Sequence, residues 1–134
     1  MSLDQALSKM RGVVPECVAA GYVDMSTGML LGVATVDSHP QEVLDLVAAA
    51  TADLFQGDNV RAIEKLFRKS RGVAEDGKHY FNEMLVMSDN LLHVFIRGKK
   101  YHDHALVAVT RNSANIGMAL TKTRAALAEV ETQL

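Results

Sequence analysis

The sequence predicts an α+β fold, with a β-sheet covered by helices on both faces. Apolar residues recur at helical spacing near both ends and in the middle of the chain, and strand-like apolar runs separated by polar turns occupy much of the rest. In the run 91–96, the odd positions hold Leu, His and Phe, and the even positions hold Leu, Val and Ile. Because alternate strand residues face opposite sides, both faces of the sheet need a cover.

A short helix and a β-hairpin are predicted at the start of the chain. The helix ends at Gly12 and Pro15, and its apolar residues with helical spacing are Leu3, Ala6, Leu7 and Met10. Cys17–Asp24 and Met29–Thr35 are apolar runs joined by a polar turn in which Gly28 can adopt positive φ. This pattern is typical of a β-hairpin.

A long helix is predicted next, and its apolar face is wide. Pro40 suits the first turn, where its missing N–H costs nothing, and the helical run continues to Gln56. One narrow stripe of the helix is mainly polar and consists of Glu42, Asp45, Ala49, Ala52, Asp53 and Gln56. The rest of the helix surface is apolar and consists of Val43, Leu44, Leu46, Val47, Ala50, Leu54 and Phe55. A helix on one sheet needs an apolar arc of only about 100°. The excess predicts a second apolar neighbour, such as another subunit.

A basic amphipathic segment follows an interruption at residues 57–59. Apolar spacing resumes at Val60, Ile63, Leu66 and Phe67, and the interleaved basic residues are Arg61, Lys65, Arg68, Lys69 and Arg71. The pattern predicts either a separate helix or a continuation of the long one. Residues 72–78 are predicted to form a polar loop.

Three strands and a closing helix are predicted for the rest of the chain. The predicted strands are 81–87, 91–96 and 105–109. Asn112 or Ser113 is predicted to cap the last helix, whose apolar residues are Ile116, Leu120, Leu127 and Val130.

Length and composition predict one domain spanning residues 1–134, because 49% hydrophobic residues are enough for one compact core. With 14 basic and 16 acidic residues the net charge is -2, which argues against nucleic acid or a membrane as a partner. The lone Cys17 excludes an intramolecular disulfide, and the first residues lack the pattern of a secretory signal. A cytoplasmic location is therefore expected.

The sequence contains no motif that predicts catalysis. Gly98-Lys99-Lys100 lacks the glycine spacing and the Ser or Thr of a phosphate-binding loop. No Ser or Cys lies in the pattern of an activated nucleophile, and Cys17 in its apolar strand is interpreted as a core residue. We therefore predict that the protein is not an enzyme and needs no cofactor.

Histidines form the one cluster with metal-ligand chemistry. His102 and His104 are alternate residues that could share an ion, with His79 and His93 elsewhere in the chain. No third ligand has diagnostic spacing, so the alternative is a polar hairpin tip. His93 alone is interpreted as a hydrogen-bonded residue on a packed sheet face.

The basic residues after Gly57 support a second hypothesis about binding. Arg61, Lys65 and Arg68 share one helical stripe, with Lys69 at its edge. Such a stripe is often only a solvated face, but it could also meet an acidic partner surface. Nucleic acid is the weaker alternative, because no aromatic platform accompanies the stripe.

Two segments resemble the roadblock / dynein light chain family. Residues 19–31 (Ala-Ala-Gly-Tyr-Val-Asp-Met-Ser-Thr-Gly-Met-Leu-Leu) are similar to its opening hairpin. Residues 105–110 (Ala-Leu-Val-Ala-Val-Thr) followed by 115–119 (Asn-Ile-Gly-Met-Ala) resemble its last strand and the entry to its last helix. The predicted order of elements also agrees with that family, although residues 57–78 are longer and more basic than its usual connection.

The resemblance implies a roadblock/profilin-like, five-stranded antiparallel sheet made of a hairpin and a three-stranded meander. It places the long helix on one face and the terminal helices on the other. It also implies a homodimer, or a dimer with a paralogous roadblock protein, formed by pairing the long helices and joining edge strands. The interface residues would be Val43, Val47, Ala50, Leu54 and Phe81. The partner-facing basic patch, which rests on helical spacing and not on the resemblance, would be Arg61, Lys65, Arg68 and Lys69.

Three functional hypotheses follow from these observations. The resemblance implies a non-catalytic dimeric domain that regulates a small Ras-like GTPase or acts as a scaffold, as in complexes of that family. The second hypothesis is a small-ligand sensor of PAS or GAF type, which also has a sheet covered by helices. The third is a small metal-dependent enzyme that uses His102 and His104.

Overall fold

The computed structural model describes residues 1–36, 41–72, 79 and 81–134, except for the side chains of residues 41–43. Pro40 and residues 73–78, for which a helix start and a loop were predicted, lie outside this description. The elements are α1 (Leu3–Val13), β1 (Cys17–Asp24), β2 (Met29–Thr35), α2 (Gln41–Gln56), α3 (Asp58–Ser70), β3 (Glu83–Met87), β4 (Leu91–Arg97), β5 (His104–Arg111) and α4 (Ile116–Glu131).

The strands form one antiparallel sheet in the order β2-β1-β5-β4-β3. The first two strands have the predicted bounds, and the predicted hairpin-plus-meander arrangement is confirmed. The return of β5 to the side of β1 makes β2 and β3 the two edges of the sheet. The β1–β2 register shifts between Tyr22 and Val23, so that Leu31 is an extra residue in β2. The pairing of β3 with β4 has no such shift.

Helices cover both faces, as predicted, and divide the core into two clusters. α1 and α4 pack on one face around Leu7, Tyr22, Leu106 and Leu127. α2 packs on the other face, where Phe55 contacts a cluster that includes Val23, Phe95 and Val107. Alternation along β4 explains the division, because successive side chains point to opposite faces.

The helix boundaries answer two questions that the sequence left open. Gly57 has extended backbone angles and lies at the N-cap of α3, so the basic segment is a separate helix rather than a continuation. α4 is capped by Asn115, whose side chain accepts a hydrogen bond from the Met118 amide at 2.9 Å. The predicted caps Asn112 and Ser113 are therefore wrong.

Strand β3 begins two residues later than predicted, at Glu83. Phe81 and Asn82 precede the strand, although the Asn82 carbonyl still accepts a hydrogen bond from the Arg97 amide at 2.7 Å. The Phe81 carbonyl instead accepts the Nε–H of the Arg97 side chain at 3.0 Å. A side-chain contact thus replaces regular strand pairing at this position.

Among the helices in the described ranges, none combines the length and the apolar character needed to cross a lipid bilayer.

Candidate interaction surface

The long helix α2 leaves much of its apolar surface uncovered. Ala48, Thr51 and Phe55 are buried against the sheet. Val47 and Leu54, in contrast, are 46% and 38% exposed, and Ala50 between them is also exposed. These three residues have i, i+3 and i+7 spacing and therefore share one helix face. We call Val47, Ala50 and Leu54 the α2 stripe.

Val43 and Phe81, the other two residues predicted to lie in a dimer interface, are placed differently from each other. Val43 has the spacing to continue it by one turn, but its side chain lies outside the described part of the structure. Phe81 is half-buried and packs against the apolar cluster below α2. Its position makes it a support beneath the helix rather than an exposed contact.

Strand β3 is an edge strand, and among the described residues it pairs with β4 alone. The Arg97 amide donates to the Asn82 carbonyl at 2.7 Å, and the Ser88 amide donates to the Leu91 carbonyl at 2.9 Å. In an antiparallel pair, hydrogen-bonded residues alternate with residues whose N–H and C=O point away. Even-numbered residues of β3 therefore bond to β4, and the backbone groups of Glu83, Leu85 and Met87 point outward from the sheet.

Arg97 fixes the C-terminal end of α2 on the sheet. Its buried guanidinium donates to the Phe55 carbonyl at 3.1 Å and to Gln56 Oε1 at 2.9 Å. It also donates to the carbonyls of Phe81 and His102 at 3.0 and 2.8 Å. Burial lowers the pKa of Arg97 from its ordinary value. Because these four bonds join three separate segments, Arg97 sets the position of the α2 stripe.

No sequence pattern identified Arg97 as important. Its apolar neighbours in β4 indicate only a strand, and its partners in α2 are more than 40 residues away in the sequence. A single signal was present: a charged residue that ends a strongly apolar strand needs either solvent or acceptors. The sequence does not decide between these two outcomes.

Helix α3 places its polar side against the rest of the chain. Glu64 is only 2% exposed and its Oε1 lies 3.1 Å from Nδ1 of His79, whereas Leu66 is 63% exposed. In the predicted basic patch, Arg61, Lys65 and Lys69 are exposed and Arg68 is half-buried. Arg68 is therefore less accessible to a partner than the other three cations of this patch.

The histidines of the predicted cluster have separate surroundings. His104 Nδ1 lies 2.9 Å from the buried Tyr22 hydroxyl, and His102 is exposed. His93 Nδ1 lies 3.1 Å from the Val86 carbonyl, and its ring stacks on Phe95. Within the described ranges, no group of three or more His, Cys, Asp or Glu side chains is arranged to hold a metal ion.

Cys17 lies in the core, as predicted. Its side chain is buried, and the thiol donates to the Ala19 carbonyl at 3.2 Å. Burial raises the pKa of the thiol, which keeps it in the unreactive protonated form.

The architecture defines the class of protein at the level of its fold. The order of helices, the sheet order β2-β1-β5-β4-β3 and the placement of α2 opposite α1 and α4 are those of a roadblock fold, and the resemblance seen in the sequence is confirmed at this level. No family model and no curated protein matches the chain in sequence.

Solved structures with this fold cover nearly the whole chain. MglB of Myxococcus xanthus superposes with a TM-score of 0.69 at 17% identity, over 97% of this chain and 92% of MglB. The Roadblock/LC7 domain from Streptomyces avermitilis gives a TM-score of 0.66 at 17% identity, over 98% and 97%. Profilin II of Acanthamoeba castellanii gives 0.55 at 12% identity, over 97% and 94%. At these identities the likeness establishes the fold alone.

Proposed function

We propose that this chain is a non-catalytic interaction domain that works as a dimer and holds a small Ras-like GTPase or another protein partner. The observation that carries the proposal is the exposed α2 stripe, and the edge position of β3 offers a second surface for association. Exposed apolar side chains aligned on a helix are typical of a surface that another protein covers. The roadblock fold supports the same function, because the family that the sequence resembles consists of domains that regulate small GTPases or act as scaffolds.

The proposed dimer pairs two copies of α2 through Val47, Ala50 and Leu54, with Val43 continuing the contact. Phe81 contributes from below, by supporting the helix. A homodimer interface is self-complementary, so the same stripe meets itself across a two-fold axis. The single domain of residues 1–134 is part of this proposal, and a paralogous roadblock protein could replace the second copy.

Replacement of Val47 by Asp tests the dimer. A carboxylate buried between two helices would lack a partner, so we expect Val47→Asp to convert the dimer to a folded monomer. Light scattering after size-exclusion chromatography measures the mass, and circular dichroism checks the fold. Met118→Asp is the matched control, because Met118 is an equally exposed apolar residue on α4. A wild-type monomer at micromolar concentration, or a Val47→Asp dimer, would contradict the proposal.

The basic patch of Arg61, Lys65, Arg68 and Lys69 is proposed to face the partner. Three of these cations are exposed on α3, and the net charge of the whole chain is negative, so a local patch is needed to attract an acidic surface. The resemblance to the roadblock family suggests a small Ras-like GTPase as that partner.

The partner test uses a Ras-like GTPase that copurifies from the native cell. We expect the double change Arg61→Glu and Lys65→Glu to weaken its binding at least about tenfold, while the dimer persists. Lys99→Glu with Lys122→Glu is the control, because it reverses the same number of exposed charges outside α3. Equal binding by both double variants would show that the patch is only a solvated face.

A further inference from the structure

A groove with a volume of about 710 Å³ lies beside the N-terminal half of α2, on the face of the sheet that this helix covers only in part. Leu44 and Val47 form one wall. The floor is the sheet itself, with side chains from four strands, including Ala19, Val33, Leu91, Val107 and Val109. A groove of this size is within the usual range for small-ligand sites, about 300–1,000 Å³.

The polar groups of the groove are gathered largely at one end. Arg111 is the one charged residue among the described residues that line it, and Asn90, Asn112 and Ser113 lie at the same end. Arg111 is exposed, and its guanidinium makes no ion pair with any residue in the described ranges. Glu16 lies next to this end of the groove: its carboxylate accepts the Ser113 hydroxyl at 2.7 Å, and its backbone carbonyl accepts the Arg111 amide at 3.1 Å.

We propose that this groove binds an amphiphilic monoanion, such as a medium-chain carboxylate. Its hydrocarbon chain would lie on the apolar floor, and its carboxylate would meet Arg111. Charge complementarity favours an anion, since the described residues that line the groove include one cation and no carboxylate. The planar guanidinium matches a carboxylate in a two-point contact.

The chemistry of the walls favours a hydrocarbon chain over a peptide segment. Along the apolar floor, a peptide would bring N–H and C=O groups against side chains such as Val33, Val107 and Val109, which can neither donate nor accept hydrogen bonds, and each unpaired group is costly. A hydrocarbon chain has no such groups and gains free energy for each CH₂ removed from water. This site goes beyond the proposed dimer function, because Val47 is the one described residue that belongs to both surfaces.

Titration calorimetry with dodecanoate, below its micelle concentration, tests the site in the full chain. We expect saturable binding at one site per chain, and much weaker binding of dodecanol, which lacks the charge. Arg111→Gln should weaken dodecanoate binding about tenfold, and Arg111→Lys should restore part of it. Lys122→Gln is the matched control, because it removes an exposed cation on α4 and should leave binding unchanged.

A second variant tests the apolar part of the site. Ala19→Phe places a large side chain on the floor of the groove and should abolish dodecanoate binding while the thermal transition remains cooperative. The proposal is overturned if dodecanoate does not bind, or if Arg111→Gln and Lys122→Gln bind it equally. Loss of the dimer in Ala19→Phe, without any dodecanoate binding to the wild type, would assign the groove to the second copy instead.

Discussion

Arg97 is a cation held in the interior without a direct carboxylate contact in the described ranges. Its guanidinium donates hydrogen bonds to three backbone carbonyls and one side-chain amide oxygen. The guanidinium carbon lies 5.1 Å from the centre of the Phe55 ring. We expect Arg97→Met to lower the free energy of unfolding by about 2–4 kcal/mol, because it leaves buried oxygens without donors. Urea denaturation measures this change.

The control for Arg97→Met is Lys122→Met, which introduces the same side chain at an exposed position of α4. Its expected effect is within about 0.5 kcal/mol. A similarly small effect for Arg97→Met would mean that α2 is held in place by apolar packing alone.

Glu83 and Arg124 join the edge strand β3 to α4 through two hydrogen bonds of 2.6 and 2.7 Å. The hydrogen bond from Arg124 lowers the pKa of Glu83 from its ordinary value of 4.5. A lowered pKa in the folded state stabilises the protein above the pKa of the unfolded chain, and this contribution is lost as pH falls through the folded value.

Arg124→Gln should therefore be less stable than the wild type at neutral pH, and the difference should shrink in acid. The loss will be small, because both side chains are substantially exposed. Urea unfolding of the two proteins at neutral and at acidic pH measures it. A difference that stays constant with pH would show that the ion pair makes no contribution.

The start of α4 provides a test at the level of a whole element. Asn115 accepts the Met118 amide, whereas the Ser113 hydroxyl donates to Glu16 and the Asn112 side chain donates to the Asp89 carbonyl at 2.7 Å. We expect Asn115→Ala to cost about 1 kcal/mol of unfolding free energy, the usual value for a lost N-cap. Ser113→Ala should cost less, and the reverse order would show that the cap lies elsewhere.

The cap shows what the sequence could and could not predict about the elements. Periodicity placed β1 and β2 at their observed bounds, because alternation and turn residues are local signals. Asn112, Ser113 and Asn115 are all competent N-caps, and the choice depends on contacts made elsewhere. Asn112 and Ser113 already bond to distant segments, which leaves Asn115 for the helix.

The candidate surface was predictable in part for a similar reason. The width of the apolar face on α2 is local information, and Val47 and Leu54 are indeed exposed. The burial of Glu64 was not predictable, because its spacing places it among the charged residues of α3. Its position depends on His79 and the fold around it, which no periodicity encodes.

The two edges of the sheet differ in their capacity to pair with another chain. The extra residue Leu31 distorts β2, and bulges of this kind discourage the addition of a strand. β3 is regular, and the amides of Glu83, Leu85 and Met87 point outward. A dimer that pairs α2 with α2 and extends the sheet would therefore use β3 rather than β2.

This geometry permits a substitution that removes an edge hydrogen bond without touching the pairing of β3 with β4. Leu85→Pro deletes an outward amide, and proline is tolerated on edge strands. Two donors are lost per symmetric dimer, so we expect the dissociation constant to rise at least about tenfold. Sedimentation equilibrium measures the constant.

Leu85→Thr keeps the amide and should dimerise normally, whereas Val86→Pro removes a bond to β4 and should instead lower stability. If Leu85→Pro dimerised as tightly as Leu85→Thr, the two sheets would not be joined through β3, and the α2 stripe alone would have to hold the copies together.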